Sequence, residues 1–344
     1  MQEFLKLPKE DQKLAIEQTA ARNGWVASSA EKDFWVCWTL EQLFALPELK
    51  GHLTFKGGTS LSKAWGLIDR FSEDIDLTIG RDALGFGGEN SPERAPSAKQ
   101  QAKRLKALRD ACGTLVRNTL LPRLSDCFIT RLDAEGWQLT LDSDDPDGQT
   151  LLFFYPTHFG GQQARYVRPI VKIEFGARSD PWPAHERPLH PVIAEVFPQL
   201  FTQPETIVHA LAPERTFWEK AMLLHEETYR PADKQRRPRM ARHYYDVYRL
   251  IQGGIAAKAV KDVDLFKQVL AHRSVFFAQS WVDYHAMAPK TLRLLPLPNQ
   301  EQSWRLDYVA MQAEMFTEEP PEFDAVLDLI RRFEHATRGS HNTE

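Results

Sequence analysis

Two aspartates one residue apart, Asp74 and Asp76, lie in the segment Arg70-Phe-Ser-Glu-Asp-Ile-Asp-Leu77. On an extended strand, residues i and i+2 share a face, so both carboxylates point one way while Ile75 and Leu77 point into a core. Carboxylates held this close repel unless a cation lies between them, and hard, oxygen-preferring Mg²⁺ or Mn²⁺ suits the pair. Just upstream, Gly57-Gly-Thr-Ser-Leu-Ser-Lys63 reads as a tight turn at Gly57-Gly58 followed by a helix. Such a turn lets the backbone approach a phosphate, and the helix N-terminus behind it offers free N–H groups and a favourable dipole. Thr59 and Ser60 add hydroxyls. A phosphate cradle followed by a metal-binding pair is the equipment of phosphoryl or nucleotidyl transfer assisted by two metal ions. Either half alone would be a plain turn or a solvated strand face. The succession strand, glycine pair, helix, Asp-x-Asp strand is what carries the reading.

A third carboxylate would complete such a site. In Val167-Arg-Pro-Ile-Val-Lys-Ile-Glu-Phe175, Val171, Ile173 and Phe175 form one strand face, with Lys172 and Glu174 on the other. Glu174 is the candidate to bind metal or to take the proton of an attacking hydroxyl; the plain alternative is a solvated Lys–Glu face. Two other signals fail on inspection. His185-Glu-Arg-Pro-Leu-His190 has the wrong spacing for a zinc-protease helix and a helix-breaking Pro188. Gly85-Phe-Gly-Gly88 lacks the strand before it and the helix after it that a dinucleotide fingerprint needs.

The elements that must hold these residues are legible in outline. Pro8 starts a helix carrying Leu14 and Ile16, and Asn23-Gly24 stops it. Ser28 or Ser29 would cap a second helix from Glu31 to about Leu46, with Val36, Leu40, Leu43 and Phe44 as its apolar stripe. His52–Lys56 and Glu73–Ile79 read as strands. Residues 81–96 suggest a mobile loop, and Ser97 caps a helix to about Leu120. Further strands are expected near Phe128–Leu132, Trp137–Leu141, Thr150–Tyr155 and Val167–Phe175. Five prolines between Asp180 and Pro198 suggest a linker. Beyond it the pattern is helical over about 213–229, 239–252, 260–274, 303–317 and 321–337. The expected fold class is α/β: a mixed-sheet core with N-terminal helices over 1–180, a linker over 181–204, and a helical lobe over 205–337.

Composition narrows the setting. The 344 residues carry 43 Lys+Arg against 47 Asp+Glu, a formal charge of −4, which argues against bulk electrostatic wrapping of nucleic acid but leaves room for a local basic patch. The loop Arg230-Pro-Ala-Asp-Lys-Gln-Arg-Arg-Pro-Arg239 is such a patch, fit either to hold RNA phosphates or to be solvated. No apolar run reaches the roughly 18–20 residues of a membrane span, and the first residues lack a secretory layout. Cys37, Cys112 and Cys127 are widely spaced and suggest a reducing compartment. A cytoplasmic protein is expected.

Glu31-Lys-Asp-Phe-Trp-Val36, Phe55-Lys-Gly-Gly-Thr-Ser-Leu-Ser-Lys63, Arg70–Leu77, Glu214-Arg-Thr-Phe-Trp-Glu-Lys220 and Arg242-His-Tyr-Tyr-Asp246, in this order, resemble the successive motifs of the AbiEii/AbiGii nucleotidyltransferase toxins. These are the toxin halves of type IV toxin–antitoxin and abortive-infection systems, within the polymerase-beta-like superfamily. The resemblance implies a nucleotidyltransferase fold and an enzyme that uses a nucleoside triphosphate and Mg²⁺ to modify RNA, with tRNA 3′ ends the expected acceptor, and a cognate antitoxin as partner. It implies metal-binding roles for Asp74 and Asp76 and catalytic roles for Lys220 and Asp246. Ser72 matches a family serine beside the active site, and Glu174 a Lys-x-Glu strand motif. Physically, Lys220 near a triphosphate would offset charge on departing pyrophosphate. Asp246 either forms an ordinary i,i+4 pair with Arg242, or orients Lys220 while Arg242 approaches the nucleotide. Transfer to a small molecule or a protein, and a non-catalytic nucleotide- or RNA-binding module, are the competing readings.

Overall fold

The computed structural model describes residues 1–70, 72, 74–132, 135–160, 168–316 and 319–339; Phe71, Glu73, Val167 and Thr317, which fall in stretches read above, lie outside them. The chain divides into two compact units, one of Met1–Ala64 and Ser72–Leu211, the other of Trp65–Phe71 and Ala212–Glu344.

The first unit holds helices α1 (Gln2–Leu5), α2 (Lys9–Asn23), α3 (Ala27–Phe44), α4 (Gly57–Lys63), α5 (Ala98–Leu115), α6 (Leu121–Arg131) and α7 (Val192–Val196). Its strands are β1 (Leu53–Lys56), β2 (Ile75–Ile79), β3 (Gln138–Leu141), β4 (Thr150–Phe154), β5 (Ile170–Gly176), β6 (Ala184–Leu189) and β7 (Thr206–Leu211). They make one seven-stranded mixed sheet in the order β3-β4-β5-β2-β1-β7-β6, parallel at β1/β7 and β2/β5 and antiparallel elsewhere. The central strands obey the period of two: Ile75, Leu77 and Ile79 of β2 and Val171, Ile173 and Phe175 of β5 are buried. Their alternate residues, Asp76 on β2 and Lys172 and Glu174 on β5, take the other face.

α3 is buried nearly all round, which is why its first turns can carry charge inward only with fixed partners. It starts at Ala27 after Val26, so Ser28 and Ser29 lie inside the first turn rather than capping it. The buried run Glu31-Lys32-Asp33 ties four segments to this helix. Glu31 accepts the His158 N–H at 2.7 Å and the Thr157 hydroxyl at 2.5 Å, and Lys32 donates to the Arg168 carbonyl at 3.2 Å. Asp33 pairs with Lys63 at the end of α4 and accepts the Val192 N–H at 2.8 Å.

Burial raises the Glu31 pKa to about 7 against the two hydrogen bonds that favour its anion. An unfolded glutamate releases its proton near pH 4.3. Between these values the folded chain binds more protons, so the contribution present below the lower value is lost as pH rises through the upper one. Glu31→Gln, which keeps an acceptor without the charge, is therefore expected to match the parent near pH 4 and to exceed it at pH 8 by on the order of 3 kcal/mol. Thermal melts at the two pH values check this; an equal difference at both would contradict it.

Other sequence expectations change in this unit. Residues 128–132 are not a strand but run from the last turn of α6: Leu124 and Phe128 are buried four apart while Ile129 is 64% exposed, a helical period that five residues are too few to reveal. α5 and α6 form one helical stretch, joined by a π turn at Val116–Leu120 just before Pro122, a residue that cannot supply the regular helical N–H. Residues 181–204 contain β6 and α7, and β6 pairs with β7 over six residues, from Ala184↔Leu211 to Leu189↔Thr206. As an edge strand β6 tolerates Pro188.

The second unit contains α8 (Pro213–Thr228), α9 (Arg242–Gln252), α10 (Ile255–Lys261), α11 (Val263–Phe276), α12 (Pro298–Met315) and α13 (Phe323–Gly339). The helix expected at 260–274 is α11, which Asp262 caps by accepting the Leu265 N–H at 2.9 Å, and α10 is a further helix before it. Tyr244 of α9 meets Trp304 and Phe323 edge-on, with ring centroids 4.8 and 5.6 Å away, in an aromatic core. Among the described residues no helix is long and apolar enough to cross a membrane.

Candidate active site

The carboxylate cluster belongs to the sheet unit. β1 ends at Lys56 and the chain enters α4 directly, so Gly57 and Gly58 are the first residues of a helix and not a separate turn. Gly57 has φ +77°, and a Cβ on it would stand 2.0 Å from Asp76 Oδ2. Only glycine permits the Asp76 carboxylate to lie there. Asp76 is opposite Lys56 on antiparallel β1 and beside Glu174 on parallel β5, which puts Asp76 and Glu174 on one face of the sheet. Asp74 precedes the first residue of β2 and is exposed.

Lys172 Nζ is 2.8 Å from Glu174 Oε1 and 3.7 Å from Asp142 Oδ2. Partial burial works against its charge, but Glu174, Asp74 and Asp142 outweigh this and hold its pKa above the usual lysine value. A cation is thus already stabilised among these acids.

Thr59 is wholly buried, and its hydroxyl hydrogen-bonds Ser72 Oγ at 2.9 Å and the Asp74 carbonyl at 2.5 Å. α4 thereby fixes the backbone that presents both Asp74 and Ser72. Ser60 Oγ is buried with no hydrogen-bond partner among the described residues, an uncommon state for a hydroxyl that is not reserved for a ligand. At the other end of α4, Arg187 of β6 donates to the Ala64 carbonyl at 3.0 Å.

Among the described residues no three acids, histidines or cysteines are gathered into a ready metal cage. Mg²⁺ seldom needs one, since it usually takes one or two carboxylates and completes its shell with water and substrate phosphates. Asp74 and Asp76 are oxygen donors of that kind, with Glu174 beside them, and the set fits a hard divalent cation.

A second cluster lies within the helical unit. Asp246 of α9 is fully buried, not on a solvated surface. Arg70 grips it with both arms, Nε to Oδ1 at 2.7 Å and Nη2 to Oδ2 at 2.8 Å, and Lys220 Nζ of α8 lies 2.8 Å from Oδ2. Burial alone would raise the Asp246 pKa, but Arg70 and Lys220 hold it well below the usual carboxylate range. Burial lowers the Lys220 pKa, with Arg70 and Arg242 adding to this and Asp246 opposing it. His243 Nδ1 is 3.4 Å from Lys220 Nζ, and burial together with Lys220 and Arg242 lowers its pKa well below the ordinary value. It is therefore a neutral imidazole that can accept from the ammonium. Arg242 donates to the Arg239 carbonyl at 2.7 Å.

Sequence reasoning singled out Asp246 and Lys220 without Arg70 or His243, although both lie inside the quoted motifs. A buried acid requires cations, yet nothing in the chain says that the one gripping Asp246 is 176 residues away. In the basic loop, Arg236 lies over the Trp304 ring at 3.6 Å and donates to Ser303 Oγ at 2.7 Å, and Arg230 is paired with Glu227, so part of that charge is structural.

The chain belongs to the AbiEii nucleotidyltransferase toxin family of type IV toxin–antitoxin systems, whose family model, Nucleotidyl transferase AbiEii toxin, matches residues 38–329. The match begins just after the Glu31–Val36 motif and covers every candidate site residue. Among solved structures the chain is similar to MenT4, a nucleotidyltransferase toxin from Mycobacterium tuberculosis H37Rv, at 15% identity over 95% of this chain and 97% of that one, with a TM-score of 0.43. No curated protein matches the sequence.

Proposed function

We propose that this toxin transfers nucleotides from a nucleoside triphosphate to the 3′ end of RNA, with tRNA as the acceptor, and so blocks translation. The observation that supports the site most directly is the placement of Asp76 against Gly57 and in register with Glu174. Asp74 and Asp76, with Glu174 next to them, would hold Mg²⁺ or Mn²⁺, which when bound supplies charge neutralisation at the reacting phosphate and lowers the pKa of an attacking hydroxyl. Gly57, Gly58, Thr59 and Ser60 form the phosphate-binding segment: at Gly57 no side chain stands between the backbone and the Asp76 carboxylate, and Ser60 Oγ is a hydroxyl in need of a partner. Thr59 keeps Ser72 and Asp74 in place. Glu174 takes the proton of the attacking hydroxyl, and Lys172, paired with it, holds its carboxylate in place. Lys220, held charged by Asp246, opposes the negative charge that develops on departing pyrophosphate, and Arg242 contributes to nucleotide binding. The cognate antitoxin and a cytoplasmic setting follow from the same reading.

The acceptor is tested by the chemistry of its end. Total tRNA oxidised with periodate, which destroys the terminal diol, is expected to take up no label from an α-³²P-labelled triphosphate, whereas untreated tRNA does. Label that persists on oxidised tRNA would exclude the 3′ end, and RNase-resistant label in protein or small molecules would replace RNA as the acceptor.

A further inference from the structure

The helical unit has a concave feature that none of Arg70, Lys220 and Asp246 lines. It is a cleft of about 810 Å³ whose wall includes Tyr229, Trp281, Asp283, Lys290, Arg293 and Arg338, within the usual size of a small-ligand site. Two flat rings form part of that wall. Tyr229 is 43% exposed, set edge-on against His225 at 4.9 Å. Trp281 spends its indole N–H on the Glu226 carbonyl at 3.1 Å, so its edge is anchored and its π face is what remains to interact. Cations gather over both rings: Arg293 over Tyr229 at 5.9 Å, and Lys234 and Arg230 over Trp281 at 4.4 and 5.2 Å. Lys290 and Arg293 are exposed. Arg338 is tied to Glu334 at 3.0 Å and to the Leu292 carbonyl at 3.2 Å, and His225 Nδ1 accepts the Arg293 N–H at 2.9 Å, so the wall itself is fixed. Asp283 adds an exposed acceptor.

Aromatic faces with lysine and arginine around them and one acceptor are what a nucleotide needs: a surface to stack its base, charge for its phosphate, and a partner for a ribose hydroxyl or exocyclic amine. We infer that this cleft binds one nucleotide of the RNA acceptor strand, its base stacked on Tyr229 or Trp281 and its phosphate on Lys290 and Arg293. The inference rests on the RNA-acceptor reading above. Tyr229 follows the last turn of α8, nine residues and roughly 13 Å beyond Lys220 along the helix, or about four stacked nucleotides at 3.4 Å each. On that reading the cleft holds a nucleotide within the acceptor strand, and its contribution is to acceptor affinity.

The test uses the full chain and two probes, fluorescein-labelled total tRNA and AMP, with Tyr229→Ala and Lys290→Ala/Arg293→Ala as variants on exposed positions. Tyr229→Ala is expected to raise the tRNA Kd about tenfold. The double variant is expected to shrink the slope of log K against log salt by about 1.4, some 0.7 for each single-strand phosphate contact removed. In transfer assays the KM for tRNA should rise with the KM for triphosphate and kcat unchanged. Unaltered tRNA affinity and salt slope in both variants would overturn the inference. Lost AMP binding with intact tRNA affinity would also overturn it and assign the cleft to a free nucleotide. A parent protein that neither binds nor labels tRNA would instead remove the acceptor reading, and this inference with it.

Discussion

Gly57→Ala is expected to lower nucleotide transfer by about a hundredfold while leaving the protein folded. The added Cβ would stand 2.0 Å from Asp76 Oδ2 and 2.8 Å from its Cγ, so the carboxylate must move by an ångström or more. Displacements of that size in a reacting group cost about 10²-fold in rate. The backbone adds a smaller penalty, since φ +77° is a left-handed conformation that costs an alanine roughly 1–2 kcal/mol. That is too little to unfold an ordinary domain of 5–15 kcal/mol. Circular dichroism and a thermal melt close to the parent's, with kcat reduced, would bear this out. A Gly57→Ala protein with full kcat would show that Asp76 need not stay where the structure puts it.

The second large effect is on stability. Asp246→Asn removes the charge that balances two buried cations, Arg70 and Lys220, which are 4% and 8% exposed. Breaking a buried ion pair by neutralising one partner typically costs 3–5 kcal/mol, because the remaining charge is left uncompensated. The expected result is a loss of about that size at neutral pH, measured by denaturant titration. The pH dependence has a definite sign. Asp246 has a depressed folded pKa, so its contribution is fully present above the unfolded value near 3.9 and is lost as pH falls through the acid range below it. The parent should lose stability there, and the Asn variant should lack that part of the slope. Equal stability of the two at pH 7 would contradict the picture of Asp246 as the anion that holds both cations.

Much of the sheet unit was legible because its signals are local. The alternation of Ile75, Asp76 and Leu77, and of Val171, Lys172, Ile173, Glu174 and Phe175, fixes a strand and its faces within a few residues. Asp76 and Lys-x-Glu could thus be placed on strands, although Asp74 falls just before β2 and not on it; the adjacency of Asp76 and Glu174 could not, since it depends on β2 lying parallel to β5, a long-range pairing. The Gly-Gly pair was readable as a close approach of backbone, though not as an approach to Asp76 itself. α6 misleads for a physical reason. Phe128-Ile-Thr-Arg-Leu132 is too short a stretch to separate a period of two from one of 3.6, whereas burial of Leu124 with Phe128 shows the helical spacing. The prolines of 181–204 read as a linker because proline usually breaks sheets, and an edge strand is where that rule relaxes. The buried charges of Glu31, Lys32 and Asp33 are the least legible of all. Charged residues are rarely buried, and their partners, from Lys63 to Val192, come from four distant segments.

The central claim is that Asp74 and Asp76 serve metal-assisted transfer of a nucleotide to RNA. It is tested most directly by incubating the protein with Mg²⁺, total tRNA and each α-³²P-labelled triphosphate in turn, beside an Asp74→Asn/Asp76→Asn double variant. The account predicts label in tRNA from at least one triphosphate with the parent protein, and none above background with the variant. Equal labelling by parent and double variant, or labelling that survives complete chelation of divalent metal, would contradict it.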